Sequence, residues 1–274
     1  MKRTELLTAM LGCGLMLATV AMAQEAAPTD EAAKAAELAK KLSNPIASLI
    51  SVPIQSNWDF GIGPENAQRF TANIQPVIPF SLNQDWNLVA RTIVPVVSAQ
   101  SPFPGGESQS GLGDVLQSFF FSPKAATSGG WIWGAGPALL YPTATEDSLG
   151  ADKWAAGPTI VVLKQSHGWT YGLLGNHLWS YAGNADRGDL SATFVQPFVS
   201  FTTKKFMTFG LNTESSYDWK GDQWTVPLNV SVSQLLKVGK QPIQLGLGYK
   251  YVAEGSDMAA DWGLRFVVTL LFPK

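Results

Sequence analysis

Thiols, imidazoles and charge are all scarce in this chain. It holds one cysteine, Cys13, and two histidines, His167 and His177, too few for a disulfide framework or a Cys/His zinc site. Charged residues make up 15% of the sequence and nearly cancel, 19 basic against 21 acidic. No basic block stands out, so an electrostatic nucleic-acid footprint is excluded. Beyond the first 22 residues there is no apolar run long enough for a membrane helix, and any membrane would have to be crossed by strands. What is present is 46% apolar residues over 274 positions, enough to fold a large domain.

The start of the chain has its own texture. MKR leads into an apolar stretch over residues 6–22, and Ala21, Met22 and Ala23 precede Gln24. A basic end, a hydrophobic segment and a small-x-small site predict a secretory signal peptide over residues 1–23, removed on export together with Cys13. Residues 24–45 are rich in Ala, Glu and Lys, with Asp30 placed to cap a helix and Asn44-Pro45 to stop it. The apolar stripe of this stretch (Ala35, Leu38, Leu42) is thin. It therefore predicts a mobile periplasmic extension with a short helix rather than a lumen plug.

From Leu49 the pattern changes to two-residue alternation broken by turn residues. Twelve segments can be counted, approximately 49–62, 69–81, 86–98, 114–123, 131–143, 154–165, 169–182, 190–202, 206–218, 223–236, 242–254 and 261–272. In the last, Trp262, Leu264, Phe266, Val268, Leu270 and Phe272 share one face, and Gly263, Arg265, Val267 and Thr269 the other. The tenth and eleventh divide in the same way, whereas the fourth, sixth and seventh are ambiguous. Tight connections (SLNQD, SHG, TKK, VGKQ) alternate with long ones such as residues 99–113 and 143–153. That is the texture of an up-and-down meander, and an even strand number brings both termini to the short-turn side. Prolines at 76, 79, 95, 137, 158, 197 and 227 each remove a ladder donor and predict bulges beside several of them.

The ten tryptophans choose between architectures. Trp86, Trp131, Trp133 and Trp169 fall at the short-turn ends, and Trp58, Trp154, Trp179, Trp219, Trp224 and Trp262 at the long-loop ends. Two belts of indoles are what a bilayer's two interfaces favour, whereas a soluble sandwich buries tryptophan in mid-strand. Strands cross lipid only when every backbone polar group is paired, which a sheet achieves by closing on itself. The expectation is an all-β, transmembrane, antiparallel barrel of about twelve strands over residues 46–274, contacting outer-membrane lipid as a monomer.

On the inward register fall Asp59, Arg69, Asn73, Gln75, Arg91, Asn212, Glu214, Asn229, Lys250 and Arg265, interleaved with Gly134, Gly136, Gly210, Gly246 and Gly248. Two readings stand side by side: a mixed-charge constriction that sorts solutes, and a salt-bridge network that fills the barrel. For catalysis, Asn176, His177 and Ser180 occur together in GNHLWS, and Ser166 adjoins His167. Neither spacing makes a nucleophile, base and orienter, and no enzyme activity, cofactor or metal is expected. GLGDV at 111–115 is not a phosphate loop, because no helix follows it.

Several stretches together carry a family resemblance: the signal peptide, NWDFGIGP, the GLGD turn, GAGPALLYPTAT and the closing GLRFVVTLLFPK. Over about residues 45–274 the chain resembles the bacterial outer-membrane barrels described as the MetA pathway of phenol degradation, often labelled simply a transporter. The resemblance implies a Gram-negative outer-membrane barrel passing small solutes, hydrophobic or aromatic ones among them. Two other functions remain open: a closed structural barrel whose long loops bind a surface partner, and a lipid hydrolase using His177.

Overall fold

The computed structural model describes residues 30–273; the predicted signal peptide, Cys13 included, lies outside them. One helix, α1 (Asp30–Leu42), precedes twelve antiparallel strands. These are β1 (Ile50–Ile62), β2 (Ala67–Ile74 and Val77–Ser81), β3 (Trp86–Ala99), β4 (Gln109–Leu112 and Val115–Pro123), β5 (Trp131–Tyr141) and β6 (Lys153–Ser166). They continue with β7 (Trp169–Gly183), β8 (Ser191–Thr202), β9 (Met207–Thr213 and Ser215–Asp218), β10 (Gln223–Val238), β11 (Gln241–Glu254) and β12 (Trp262–Phe272). Each strand pairs with the next in sequence, and β12 returns to β1, from Ile50 opposite Phe272 to Phe60 opposite Trp262. The sheet closes into an up-and-down barrel, so its main-chain donors and acceptors are satisfied without a free edge.

Proline chemistry explains the breaks. β2 is interrupted at Gln75-Pro76, where the Gln75 amide instead donates to the Pro53 carbonyl (2.8 Å). β4 is interrupted at Gly113-Asp114 beside Pro95, whose carbonyl accepts from the Gly113 amide (2.9 Å). β9 is interrupted at Glu214, beside the Gln196-Pro197 stretch of β8. A register shift falls at Val226/Pro227. The breaks in β2 and β9 and the shift at Pro227 follow from a missing N–H in the ladder. At the other extreme, β6 and β7 are joined through His167-Gly168 alone, both at positive φ (50° and 84°), the backbone that a two-residue type I′ hairpin requires.

Register fixes which side chains face out. Leu228, Val230, Leu247, Leu264 and Phe266 on β10–β12 are exposed on the outer face, and Ile160, Leu173, Phe209 and Leu211 continue the apolar surface around the barrel. Where a polar cluster does point outward it satisfies itself: Tyr141 Oη donates to Gln117 Oε1 (2.9 Å), and Gln117 Nε2 to Thr92 Oγ1 (3.2 Å). The nine strand-borne tryptophans lie on the outward register close to strand ends. Trp86 and Trp133 meet edge-on at one end, and Phe60 and Trp262 stack at the other.

The thin stripe of α1 is used. Ala39 is buried with Leu235, Leu271, Ala47 and Leu49, and Ala35, Leu38 and Leu42 pack around them, so the helix lies across the short-turn mouth. Glu31 pairs with Lys237, and Gln165 Nε2 donates to the Lys40 carbonyl (2.9 Å). Beyond the helix the chain turns into the lumen. Ile46, 4% exposed, packs among the inward side chains Val77, Val89, Phe120, Val161, Leu163 and Leu174, while Asn87 Nδ2 donates to Ser48 Oγ (2.9 Å). Ile46→Ala is expected to weaken the docking of this segment by about 2–4 kcal/mol. Hydrogen exchange and limited proteolysis should then speed up at residues 43–49 and leave the barrel strands protected.

Candidate functional site

The inward face is divided into two walls. Strands β3–β8 contribute apolar residues, among them Val89, Phe120, Val161, Leu163, Leu174 and Leu178. Strands β9–β12 and β1 contribute small and polar ones, such as Gly210, Asn212, Ser231, Ser233, Gln244 and Thr269, which line a cavity of about 340 Å³. Residues 41–49 close the lower side of that cavity.

Ion pairs hold the polar wall together. Arg265 on β12 and Glu214 on β9 are separated around the barrel by β10 and β11, yet Nη1 donates to Oε1 (2.9 Å) and Nη2 to Oε2 (2.8 Å). A fork of this kind between non-adjacent strands can form only through the lumen. Arg265 Nε donates to Asn57 Oδ1 (2.7 Å), and Asn57 Nδ2 in turn donates to the Thr71 and Gln55 carbonyls (3.2 and 3.3 Å). Lys250 pairs with Asp59. Asn229 Nδ2 donates to Asn212 Oδ1 (3.0 Å), leaving Asn229 Oδ1 buried and unpartnered.

The structure thus brings Asp59, Glu214, Asn229, Lys250 and Arg265 into one belt. Arg69 faces inward opposite Asp59 and is exposed, and Asn73 faces inward opposite Gln55. Arg91, on the apolar wall, donates through Nη2 to Gln75 Oε1 (2.8 Å) and acts electrostatically on Glu214. The charged side chains Arg69, Arg91, Lys250 and Arg265 face Asp59 and Glu214 across the lumen, an excess of cations in a chain of net charge -2.

The long-loop mouth holds residues that the sequence reading did not single out. Asp114 Oδ1 accepts from the Ala144 amide (3.1 Å) and Oδ2 from that of Ala151 (2.6 Å). Thr143 Oγ1 accepts from the Val115 amide, and Thr145 Oγ1 from that of Leu112. The loop after β5 is thereby stitched into the break in β4. Arg187 fastens it further, donating to the carbonyls of Asp147 (2.9 Å) and Gly150 (2.7 Å). These bonds hold the loop against the rim.

The nucleophile arrangements do not assemble. His177 points outward, its Nδ1 2.6 Å from Thr193 Oγ1 and its ring 4.0 Å from that of Trp179. Ser180 lies on the opposite face, 3.4 Å from Asp189. Ser166 Oγ and His167 Nδ1 approach to 2.7 Å in an exposed turn. Among the described residues no three metal-ligating His, Cys, Asp or Glu side chains gather.

No family model matches the chain, and no curated protein matches it in sequence. Among solved structures it is similar to an outer membrane channel from Pseudomonas putida F1, with 13% identity, a TM-score of 0.65, and coverage of 82% of this chain and 96% of that one. It is also similar to the NanC porin, with 10% identity, a TM-score of 0.51, and coverage of 81% and 100%. At these identities the likeness is one of fold: the chain is a transmembrane, up-and-down β-barrel of the outer-membrane type.

Glu214→Gln removes the counter-charge from Arg265 while keeping its shape. Breaking a buried pair leaves an uncompensated charge, and lumen water softens the penalty, so a loss of about 1–3 kcal/mol is expected. Urea unfolding of the refolded protein should show it. Adding Arg265→Met should recover part of the loss, as a double-mutant cycle would register.

Proposed function

We propose that this protein is a monomeric outer-membrane channel for passive passage of small solutes, hydrophobic or aromatic ones included. The lumen belt around Arg265 and Glu214 would sort them. The observation that carries this reading is the pairing of opposite faces: an apolar outer surface bounded by tryptophans, and an inner face carrying charges that would each cost about 2–4 kcal/mol if turned to lipid at mid-depth. The similarity in fold to an outer membrane channel and a porin supports it. In this reading α1 lies on the periplasmic side, the pinned loop after β5 on the outer side, and the indoles at the two lipid borders. Solutes move along the polar wall, past the segment carrying Ile46.

Planar-bilayer recording tests the proposal. Discrete conductance steps are expected, small in the intact protein because residues 43–49 share the lumen, and larger after deletion of residues 30–48. A protein that inserts and stays silent in both forms would be a closed structural barrel instead. Independently, Leu247→Arg, on the exposed outer face of β11, is expected to lower folding stability in liposomes by about 2–4 kcal/mol. An unchanged stability would mean that lipid does not meet this surface.

A further inference from the structure

Arg91 differs from the paired lumen cations Lys250 and Arg265, and, unlike the exposed Arg69, it is partly buried. Lys250 and Arg265 each have a carboxylate partner, whereas Arg91 has one side-chain hydrogen bond, to the neutral amide of Gln75, and no carboxylate of a described residue at ion-pair distance. Glu214, which acts on it through space, is already held by both terminal nitrogens of Arg265. Arg91 is half-buried on the apolar wall, next in register to Val77 and Ser118.

Two cavities meet at this side chain. The 340 Å³ cavity lies on the short-turn side, and a second, of about 220 Å³, lies on the long-loop side, lined mainly by the apolar Ile93, Leu116, Leu174, Leu178 and Phe194, with Arg91 and the polar side chains of Ser118 and Asn176 among them. An apolar cavity of about 150 Å³ is enough to take benzene. The upper cavity therefore has room for a single ring or a short branched alkyl group, with Arg91 at its floor. A guanidinium with free donor positions in low-dielectric surroundings favours a planar anion that it can grip with two parallel hydrogen bonds.

We infer that Arg91 and the upper cavity form a binding site for a small apolar monocarboxylate, its carboxylate on the guanidinium and its ring or alkyl group against Leu116, Leu178 and Phe194. This deepens the channel reading and rests on it for the route by which the acid arrives. The site makes the lumen selective for amphipathic anions: the apolar pocket rejects strongly hydrated inorganic ions, and the unpaired cation rejects amines.

Benzoate is the probe, with benzyl alcohol and benzylamine as its neutral and cationic counterparts. Calorimetric titration of the purified full chain in detergent should show one benzoate per barrel and no binding of benzylamine. Arg91→Gln should weaken benzoate binding about tenfold or more, the loss typical of a charge-assisted contact, and leave any benzyl alcohol affinity unchanged. Leu178→Trp, which fills the upper cavity and retains Arg91, should abolish benzoate binding. If Arg91→Gln does not refold, Leu178→Trp carries the test alone. Benzoate binding left at its original strength by either substitution, or matched by benzyl alcohol in the unaltered protein, overturns the inference. Bilayer recording separates the two proposals. Conductance steps without benzoate binding remove the site and leave the channel, while binding in a silent barrel keeps the site and removes passage.

Discussion

Closure of the hydrogen-bond ladder is the constraint on which the rest depends. A sheet in hydrocarbon cannot leave a row of N–H and C=O groups unpaired, so β12 must return to β1 in register. Once it does, the parity of every side chain is set around the ring. The lumen charges reinforce the closure itself, because they cluster at its seam. Asn57 of β1 faces Arg265 of β12 in the ladder and accepts a hydrogen bond from its Nε. Asp59, two residues on, pairs with Lys250 across β12. First and last strands are joined by side chains as well as by backbone, where the chain has the greatest entropy of loop closure to overcome.

The division of the lumen into two walls follows from what fills it. On the β3–β8 side, Ile46 and its neighbours dock onto Val89, Phe120, Val161 and Leu163, and the barrel there has a dry core like that of a soluble protein. On the opposite side small residues keep the wall low. A Cβ on Gly248 would stand 3.3 Å from that of Arg265, and one on Gly263 would meet Asp59 Oδ1 at 2.5 Å. The glycines give the ion-paired side chains room to lie along the wall instead of crossing the whole bore. Arg91 stands on the apolar side with no carboxylate at ion-pair distance, and an unpaired charge is costly in apolar surroundings. That placement is hard to explain as structural support alone.

Much of the barrel is legible in the sequence, and the places where it is not have a common cause. β10, β11 and β12 alternate cleanly because one face meets apolar surroundings and the other the polar wall, so period two is visible. β6 and β7 resist the same reading because both faces are apolar: Ile160 and Leu173 point outward, and Val161 and Leu174 meet the plug. Alternation marks a difference between two environments, and here there is none. The breaks at Gln75-Pro76 and beside Pro197 are foreseeable from proline alone, whereas the one at Gly113-Asp114 depends on how a distant loop caps it. Inward parity of the ten polar lumen residues can be read strand by strand. Which of them meet cannot, since Glu214 and Arg265 are 51 positions apart and their pairing depends on the bore and stagger of the closed barrel.

The N-terminal segment shows the limit of composition as a guide. Ala35, Leu38 and Leu42 form a narrow stripe, too little apolar surface to hold a helix against a flat sheet. The mouth of a barrel is concave, and Leu235, Leu271 and Phe206 surround the stripe instead of lying under it. Ile46 adds a second anchor inside the lumen, within the same run of chain. Two modest contacts joined by a three-residue turn act at high effective concentration, so each makes the other's docking less costly. Plug and helix thus form one unit, and the lower cavity beneath Arg91 is bounded by a segment whose attachment is weaker than the ladder around it.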